Sequence, residues 1–231
     1  MSQQASNRRP LITLTNAKSP VSESYRSLRT SIDFSSVDER MQVIAVTSAG
    51  PGEGKSTTIS NLAITYAQSE RRILLIDADL RKPTGHHTFN VSNRWGLTSV
   101  LSQQSELKDV IQQSSSVPNL SILTSGPIPP NPAEMLASKR MSALIDQLRG
   151  QYDIILIDTP PLLAVTDAQV LATKCDGYIL VLDQGKVKRE IAVKAKSNLE
   201  KVGARILGVV LNNIKRKKSE GYYYYYYGDN K

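Results

Sequence analysis

Short runs of apolar and β-branched residues recur along the chain, and each is followed by a turn or by sequence compatible with a helix. Strands that alternate with helices are typical of a parallel sheet covered by helices on both faces. The pattern therefore predicts an α/β fold with one core and a mostly parallel sheet. The predicted strands are Val43–Thr47, Ile73–Ile76, Leu120–Leu123, Ile154–Ile157, Tyr178–Leu182 and Ile206–Leu211.

Helical segments are predicted between these strands and once before the first of them. The predicted helices are Ser22–Ser31, Lys55–Gln68, Pro132–Leu148, Asp167–Thr173 and Glu190–Val202. The stretch from Ser125 to Pro132 is too rich in proline for a strand or a helix and is predicted to be a rigid connector. Such connectors often lie on the rim of a sheet, where functional sites are found.

The same pattern predicts the organisation of the chain. Residues 1–20 are expected to be a flexible N-terminal arm, and residues 214–231 a C-terminal tail rich in basic residues and tyrosine. Residues 21–213 are expected to form one domain, which begins with a separate helix over residues 21–34. A length of 231 residues suits a single sizeable core.

Composition narrows the functional classes. The single cysteine, Cys175, excludes an internal disulfide, and no apolar run approaches the roughly 18 residues that a membrane-spanning helix needs. The N-terminus also lacks the apolar core of a signal peptide, so we expect the protein in the cytosol. With 29 Lys and Arg against 21 Asp and Glu, the net charge is +8, which permits polyanionic partners.

Four of the cations form a run at residues 215–218. A solvated tail is the simpler interpretation of this run, and contact with anionic lipid headgroups is the alternative. Nucleic acid is not expected as a partner, because neither a helix-turn-helix nor an aromatic platform accompanies the cations.

A glycine-rich loop separates the first predicted strand from the following helix, over Ser48–Thr57. Gly52 and Gly54 let the backbone N–H groups surround phosphate oxygens, Lys55 adds a full positive charge, and Ser56 offers a hydroxyl to Mg²⁺. Ala49 stands where the usual phosphate-loop pattern has its first glycine. The loop predicts binding of a nucleotide, and an incidental glycine turn is the weaker alternative.

Three aspartates follow predicted strands. Asp77 and Asp79 end one strand and Asp158 ends another. Period-two alternation would place Asp77 and Asp79 on the same side of an extended chain. Three carboxylates beside a phosphate loop would repel one another without a cation, and carboxylate and hydroxyl oxygens are the ligands that Mg²⁺ prefers. A strand-end cap is the alternative for each acid taken alone.

Taken together, the loop, the sequence Asp77-Ala-Asp-Leu-Arg-Lys-Pro83, the sequence Ile157-Asp-Thr-Pro-Pro161 and the tyrosine-rich C-terminus resemble the bacterial tyrosine kinases. The resemblance extends over nearly the whole chain from about residue 18 and is to the free-standing kinases of capsule and exopolysaccharide export systems. It implies a P-loop fold, ATP as phosphoryl donor and a protein tyrosine as acceptor.

The resemblance also implies a role for each residue of the site. Lys55 would hold the β and γ phosphates, Ser56 and Asp79 would bind Mg²⁺, and Asp158 would support the metal directly or through water. Asp77 would accept the proton of the tyrosine phenol, although Asp77 and Asp79 could exchange roles. The implied nucleotide-binding residues are Gly52, Glu53, Gly54, Lys55, Ser56, Thr57 and Asn212. Asn212 matches a position that contacts adenine, with its neighbour Asn213 as the alternative.

A partition or septum-positioning ATPase is the chief alternative function, a nucleotide-dependent binding switch without kinase activity. Such proteins share the Asp-Thr-Pro-Pro element, but they carry a signature lysine five residues before the phosphate-loop lysine. Gly50 occupies that position here. The kinase is therefore the favoured interpretation.

Glu23, Arg26 and Arg29 are spaced at i, i+3 and i+6 on the predicted N-terminal helix. Glu23 and Arg26 would be neighbours on it, with Arg29 extending the same side by another turn. A surface salt bridge worth well under ~1 kcal/mol is the simpler interpretation. The spacing is similar to the oligomerisation motif of the family, which implies a homo-oligomer, a ring of subunits.

Six of the ten tyrosines are consecutive and are bounded by Gly221 and Gly228. They are Tyr222, Tyr223, Tyr224, Tyr225, Tyr226 and Tyr227. Flanking glycines and a basic segment argue against burial, so phosphoacceptors are favoured over an edge strand or a sticky tail. The nine residues after Asn212 could extend about 30 Å, so reach permits modification in cis, whereas the family implies modification in trans.

The resemblance implies three further partners. These are a transmembrane activator that would hold the kinase at the inner face of the membrane, protein tyrosine substrates, and a phosphotyrosine phosphatase.

Overall fold

A seven-stranded sheet forms the centre of the computed structural model, which describes residues 11–35 and 41–214. Its strands are β1 (Val43–Ser48), β2 (Ile73–Asp77), β3 (Ile111–Gln113), β4 (Leu120–Leu123), β5 (Ile154–Asp158), β6 (Gly177–Asp183) and β7 (Ile206–Asn212). The strand order is β3-β4-β2-β5-β1-β6-β7, and every pairing is parallel except that of β3 with β4. All six predicted strands are therefore confirmed, and five of the six are one or two residues longer than predicted.

Ten α-helices flank or connect the strands of the described chain. They are α1 (Ile12–Thr15), α2 (Pro20–Phe34), α3 (Lys55–Ala67), α4 (Gly85–Phe89), α5 (Leu97–Leu101), α6 (Leu107–Val110), α7 (Pro132–Ala137), α8 (Lys139–Arg149), α9 (Asp167–Val170) and α10 (Arg189–Lys201). The α/β class with helices on both faces is confirmed.

Alternating side chains of the central strands separate the core into two layers. Val43 and Ala45 of β1 pack into the layer on one face, and Ile44 and Val46 pack into the layer on the other. Because both faces are covered, the central strands β1, β2, β5 and β6 are buried along their whole length, as is usual in parallel sheets. Helix α3 is buried over most of its length and packs on the second face. The phosphate loop thus leads directly into the most deeply buried helix.

Two helix predictions are wrong in detail. The predicted helix Pro132–Leu148 is two helices, because Ser138 is extended (φ −61°, ψ 154°) and its side chain accepts a hydrogen bond from the N–H of Met141, which caps α8. The predicted helix Asp167–Thr173 ends at Val170 and continues as a 3₁₀ turn. A serine can cap a new helix even where the apolar periodicity continues through it.

The prediction of an N-terminal arm over residues 1–20 is wrong for residues 11–20. Helix α1 lies against α3, where the backbone N–H of Thr13 donates to Oδ1 of Asn61 at 3.0 Å and its hydroxyl donates to the same oxygen at 2.9 Å. Thr13 is fully buried. The ordered domain therefore begins before residue 21, while residues 1–10 and the tail from residue 215 lie outside the described chain.

Candidate active site

The phosphate loop turns between the end of β1 and Lys55, the first residue of α3. Gly52 and Gly54 adopt positive φ angles of +76° and +92°, where L side chains are disfavoured. A Cβ atom at position 54 would also lie 2.0 Å from Nδ2 of Asn212. The positive φ therefore favours glycine at position 54, and a side chain there would displace the amide of Asn212.

Glu53 folds beneath the loop instead of facing its mouth. Its Oε1 accepts a hydrogen bond from the backbone N–H of Gly50, and its Oε2 is buried without a hydrogen-bond partner. Burial raises the pKa of this carboxyl group, and the Gly50 N–H offsets part of that rise. The Glu53 side chain thus braces the loop from inside, so a part for Glu53 in nucleotide binding rests on its backbone.

Asn212 joins the last strand to the phosphate loop. Its Nδ2 donates to the carbonyl oxygen of Glu53 at 3.1 Å, whereas Nδ2 of Asn213 donates to Asp183 at 2.8 Å. Of the two asparagines, Asn212 is therefore the one beside the loop. Its contact with adenine stays a prediction.

A cavity of about 950 Å³ lies between α2, the phosphate loop, the start of α3 and the end of β7. Gly52, Gly54, Thr57 and Asn212 line it, together with Tyr25 of α2. Ligand-binding cavities commonly have volumes of about 300–1,000 Å³. The cavity therefore gives a nucleotide room beside the loop and shows that α2 borders the site, which the sequence did not indicate.

Lys55 supplies the cation at the centre of the site. Its Nζ lies 3.1 Å from Oγ of Ser56, 3.0 Å from Oδ2 of Asp79 and 3.3 Å from Oδ1 of Asp158. The Lys55 side chain is 12% exposed, so burial lowers its pKa, but the carboxylates of Asp158 and Asp79 more than offset burial and the pKa is raised. Lys55 is therefore a buried ammonium group held by two carboxylates and a hydroxyl.

The same three oxygens provide a direct test of the fit to Mg²⁺. Ser56, Asp79 and Asp158 already converge on one cation, and hydroxyl and carboxylate oxygens are hard ligands suited to Mg²⁺. Within residues 11–35 and 41–214, no three His, Cys, Asp or Glu side chains gather into a metal-binding group. The donor set that fits Mg²⁺ is thus two carboxylates and one hydroxyl.

Asp77 does not join this donor set, although its carboxylate lies close enough to Lys55 to contribute to the raised pKa of that ammonium group. Its Oδ2 accepts from the N–H groups of Thr84 and Gly85 at 3.0 and 2.7 Å, and its Oδ1 accepts from the N–H of Asp79 at 3.2 Å. Strand β2 ends at Asp77, so two-residue alternation does not extend to Asp79.

The electrostatic setting of Asp77 differs from that of its neighbours. Asp77 pairs in register with Asp158 on the adjacent strand and is 3% exposed. Burial and the nearby Asp158 carboxylate raise the pKa of Asp77 to about 7, although the N–H of Gly85 opposes the rise. A carboxyl group with such a pKa can exchange a proton near neutral pH.

The arginines of α2 have partners within the chain. Nη2 of Arg26 lies 2.7 Å from Oε2 of Glu23, and Arg29 donates to the carbonyl oxygen of Thr65 on α3 at 2.7 Å. The predicted neighbour relation of Glu23 and Arg26 is confirmed. Arg29 turns toward α3, so the three side chains do not form one row. Their role between subunits stays a prediction.

A phosphate loop that joins an interior strand of a mostly parallel sheet to a helix defines a P-loop nucleotide-binding protein. A family model described as "AAA domain" matches residues 41–206. The chain is 49% identical over 222 residues to the tyrosine-protein kinase YwqD of Bacillus subtilis, and the match covers 96% of this chain and 93% of that one. The kinase domain of the Escherichia coli tyrosine kinase ETK superposes with a TM-score of 0.87 at 35% identity, covering 91% of this chain and 82% of that one. The chain belongs to the bacterial tyrosine kinases.

The ATPase alternative is less well supported by these similarities. The septum site-determining protein MinD from Pyrococcus horikoshii, described as a complex with Mg-ADP, superposes with a TM-score of 0.64 at 27% identity. The match covers 77% of this chain and 72% of MinD. MinD shares the fold, but the kinases agree with the chain over a larger part of its length and more closely in sequence.

Proposed function

We propose that the site transfers the γ-phosphoryl group of ATP, bound with Mg²⁺, to protein tyrosines. The convergence of Ser56, Asp79, Asp158 and Lys55 at distances of 3.0–3.3 Å is the observation that carries the proposal. Mg²⁺ would neutralise phosphate charge when bound. Ser56 and Asp79 would hold it with support from Asp158, and Lys55 would hold the β and γ phosphates together with the loop's N–H groups.

Asp77 is the proposed base for the tyrosine hydroxyl. A phenol has a pKa of about 10, so its proton must be accepted as the new P–O bond forms. Asp77 lies at the edge of the cation cluster, and its raised pKa suits proton transfer near neutral pH. Asp79 already contacts the Lys55 ammonium at 3.0 Å, which favours a metal-binding role for Asp79. This difference supports the assignment of Asp77 as base.

The tyrosines of residues 222–227 are the proposed acceptors, and they lie outside the described residues. The described chain ends at Ile214, and Ile214 lines the same cavity as Gly52, Gly54 and Asn212. The tail therefore starts at the candidate nucleotide site. In a ring, the tail of one subunit would be modified by a neighbouring subunit. The kinase would thereby regulate capsule or exopolysaccharide polymerisation and export.

A transmembrane activator is the proposed membrane partner. No helix among the described residues is long and apolar enough to cross a bilayer. Attachment to the inner face of the membrane would therefore depend on the activator, assisted by the cations of residues 215–218 on anionic lipid at up to ~1 kcal/mol each. A phosphotyrosine phosphatase would reverse the modification.

Charge links phosphorylation to assembly. Each phosphate adds roughly −1.5 to −2, so six would add about −9 to −12 and reverse the chain's charge of +8. Unmodified tails would dock in neighbouring sites, and phosphorylated tails would be expelled by mutual repulsion and by Asp77, Asp79 and Asp158. The subunits of the ring would then dissociate.

Replacing all six tyrosines of residues 222–227 by phenylalanine tests this link. We expect the variant to bind ATP as the wild type does and to remain a ring in Mg·ATP, because no charge accumulates on its tail. Light scattering coupled to size exclusion would measure the assembly before and after incubation. A phenylalanine variant that dissociates in Mg·ATP as fast as the wild type would show that tail charge does not drive disassembly.

A further inference from the structure

The segment after β2 contacts the start of α9. Neither Arg81 nor Asp167, the two residues in contact, binds nucleotide or metal in the proposed site. Arg81 lies just after β2, and Asp167 is the first residue of α9. Nε of Arg81 donates to Oδ2 of Asp167 at 3.0 Å, and Nη2 donates to Oδ1 at 2.9 Å. Paired contacts of this kind fix the orientation of both groups as well as their distance.

The Asp167 end of the pair is fixed to the core. Asp167 is fully buried, and so is the following residue, Ala168. The hydroxyl of Tyr178, a fully buried residue of β6, donates to the carbonyl oxygen of Ala168 at 2.7 Å. The start of α9 is therefore held by the sheet, and Arg81 is attached to a rigid support.

The Arg81 end of the pair lies next to the metal-binding carboxylate. The backbone N–H of Lys82, which follows Arg81, donates to Oδ1 of Asp79 at 3.1 Å, while Oδ2 of Asp79 faces the Lys55 ammonium. The orientation of Asp79 thus depends on the backbone at residues 81 and 82, which the Arg81 side chain ties down.

The pair also joins two different parts of the site. Asp79 follows β2, whereas Asp158 ends β5, the strand that leads to α9. The Arg81–Asp167 contact therefore bridges the two segments whose carboxylates converge on one cation. Asp77 lacks this dependence, because N–H groups of its own loop hold both of its oxygens.

We propose that Arg81 and Asp167 are positioning residues that fix Asp79 relative to Asp158 and so set the affinity for Mg²⁺. The proposal rests on the proposed function to the extent that Ser56, Asp79 and Asp158 hold Mg²⁺. Residues that orient metal ligands from behind affect metal affinity or activity by about 10- to 100-fold.

The test uses Arg81→Lys in the full chain, because lysine keeps the charge but cannot form the paired contact. The affinity for a fluorescent ADP analogue is measured as Mg²⁺ is titrated. We expect the Mg²⁺ concentration for half-maximal effect to rise about tenfold, while ADP affinity without Mg²⁺ changes less than about twofold. Unchanged Mg²⁺ dependence would overturn the proposal.

A second arginine–aspartate pair supplies a matched control. Arg149 contacts Asp176 through two hydrogen bonds, at 2.8 and 2.6 Å. Asp176 directly precedes β6, so this pair lies at the amino-terminal ends of the strands, whereas the candidate site lies at their carboxyl ends. We expect Arg149→Lys to leave the Mg²⁺ titration unchanged. An equal shift in both variants would show a general loss of stability and would overturn the positioning role.

The double variant Arg81→Lys, Asp167→Asn adds a readout that needs no assumption about stability. Residues that act as one unit are not additive, so the double variant should require no more Mg²⁺ than Arg81→Lys alone. If the shift in Mg²⁺ requirement of the double variant equalled the sum of the shifts of Arg81→Lys and Asp167→Asn, the joint role would be contradicted. The binding assay also separates this proposal from the proposed function: a wild type that binds Mg·ADP but phosphorylates no tyrosine overturns only the kinase assignment.

Discussion

Replacing Lys55 by methionine should reduce tyrosine phosphorylation about a thousandfold, which is the scale observed when one preorganised group that stabilises transferring charge is removed. The Lys55 ammonium is buried and held by Asp79 and Asp158. Methionine would keep an unbranched apolar side chain and remove the charge together with its hydrogen bonds. Initial rates with labelled ATP and Mg²⁺ would measure the effect.

Lys174→Met is the control for this variant. Lys174 donates to Ser142 at 2.7 Å and lies before β6, away from the phosphate loop. Its replacement should change the rate less than about twofold, because its hydrogen-bond partner Ser142 lies outside the candidate site. If a folded Lys55→Met protein phosphorylated tyrosine at more than a tenth of the wild-type rate, Lys55 would not hold the transferring phosphate.

Replacing Asp77 by asparagine should lower kcat by about 10²–10⁴, the usual contribution of a general base, and leave the affinity for Mg·ATP within about threefold. Asparagine keeps the size of the side chain and can accept hydrogen bonds from Thr84 and Gly85, but it cannot take a proton. Rapid-quench measurement of the phosphoryl-transfer step, together with equilibrium binding of ATP, would measure both quantities.

Asp79→Asn distinguishes the two possible assignments of base and metal ligand. In the proposed arrangement it should raise the Mg²⁺ requirement, whereas Asp77→Asn should not. The reverse pattern would exchange the roles of Asp77 and Asp79.

The pH dependence follows from the same residue. Burial and Asp158 raise the pKa of Asp77 from 3.8 to about 7, so in the free enzyme the group is mainly protonated below that pH and cannot act as a base. As pH rises toward about 7, kcat/KM should rise and then level off, and this rise should disappear in Asp77→Asn. A wild-type kcat/KM that falls between pH 5 and 7 would contradict Asp77 as base.

Most of the sheet could be predicted because buried parallel strands are apolar along their whole length. Strand β3 escaped prediction because Ile111–Gln113 contains only one apolar residue and depends on pairing with β4. The division of the predicted helix Pro132–Leu148 depends on the backbone angle of Ser138, which apolar periodicity does not report.

The candidate site could be predicted as far as its residue types, but not their orientations. Asp79 and Asp158 follow neighbouring parallel strands, so both were expected at the carboxyl ends of the strands. In the structure both contact Lys55 there. The turn of Asp77 toward the backbone at residues 84 and 85 depends on how the loop after β2 closes. The burial of Glu53 beneath the loop and the pairing of Arg81 with Asp167 likewise depend on tertiary contacts, which residue spacing does not encode.

The central claim is that this cluster transfers phosphate from Mg·ATP to tyrosine. Purified full chain is incubated with Mg·ATP and a cytoplasmic segment of the activator, and the phosphate is located by peptide mass spectrometry in wild type and Lys55→Met. We predict phosphotyrosine on residues 222–227 of the wild type and none on the variant. ATP hydrolysis by the wild type without any phosphotyrosine would contradict the claim and favour a nucleotide-dependent switch.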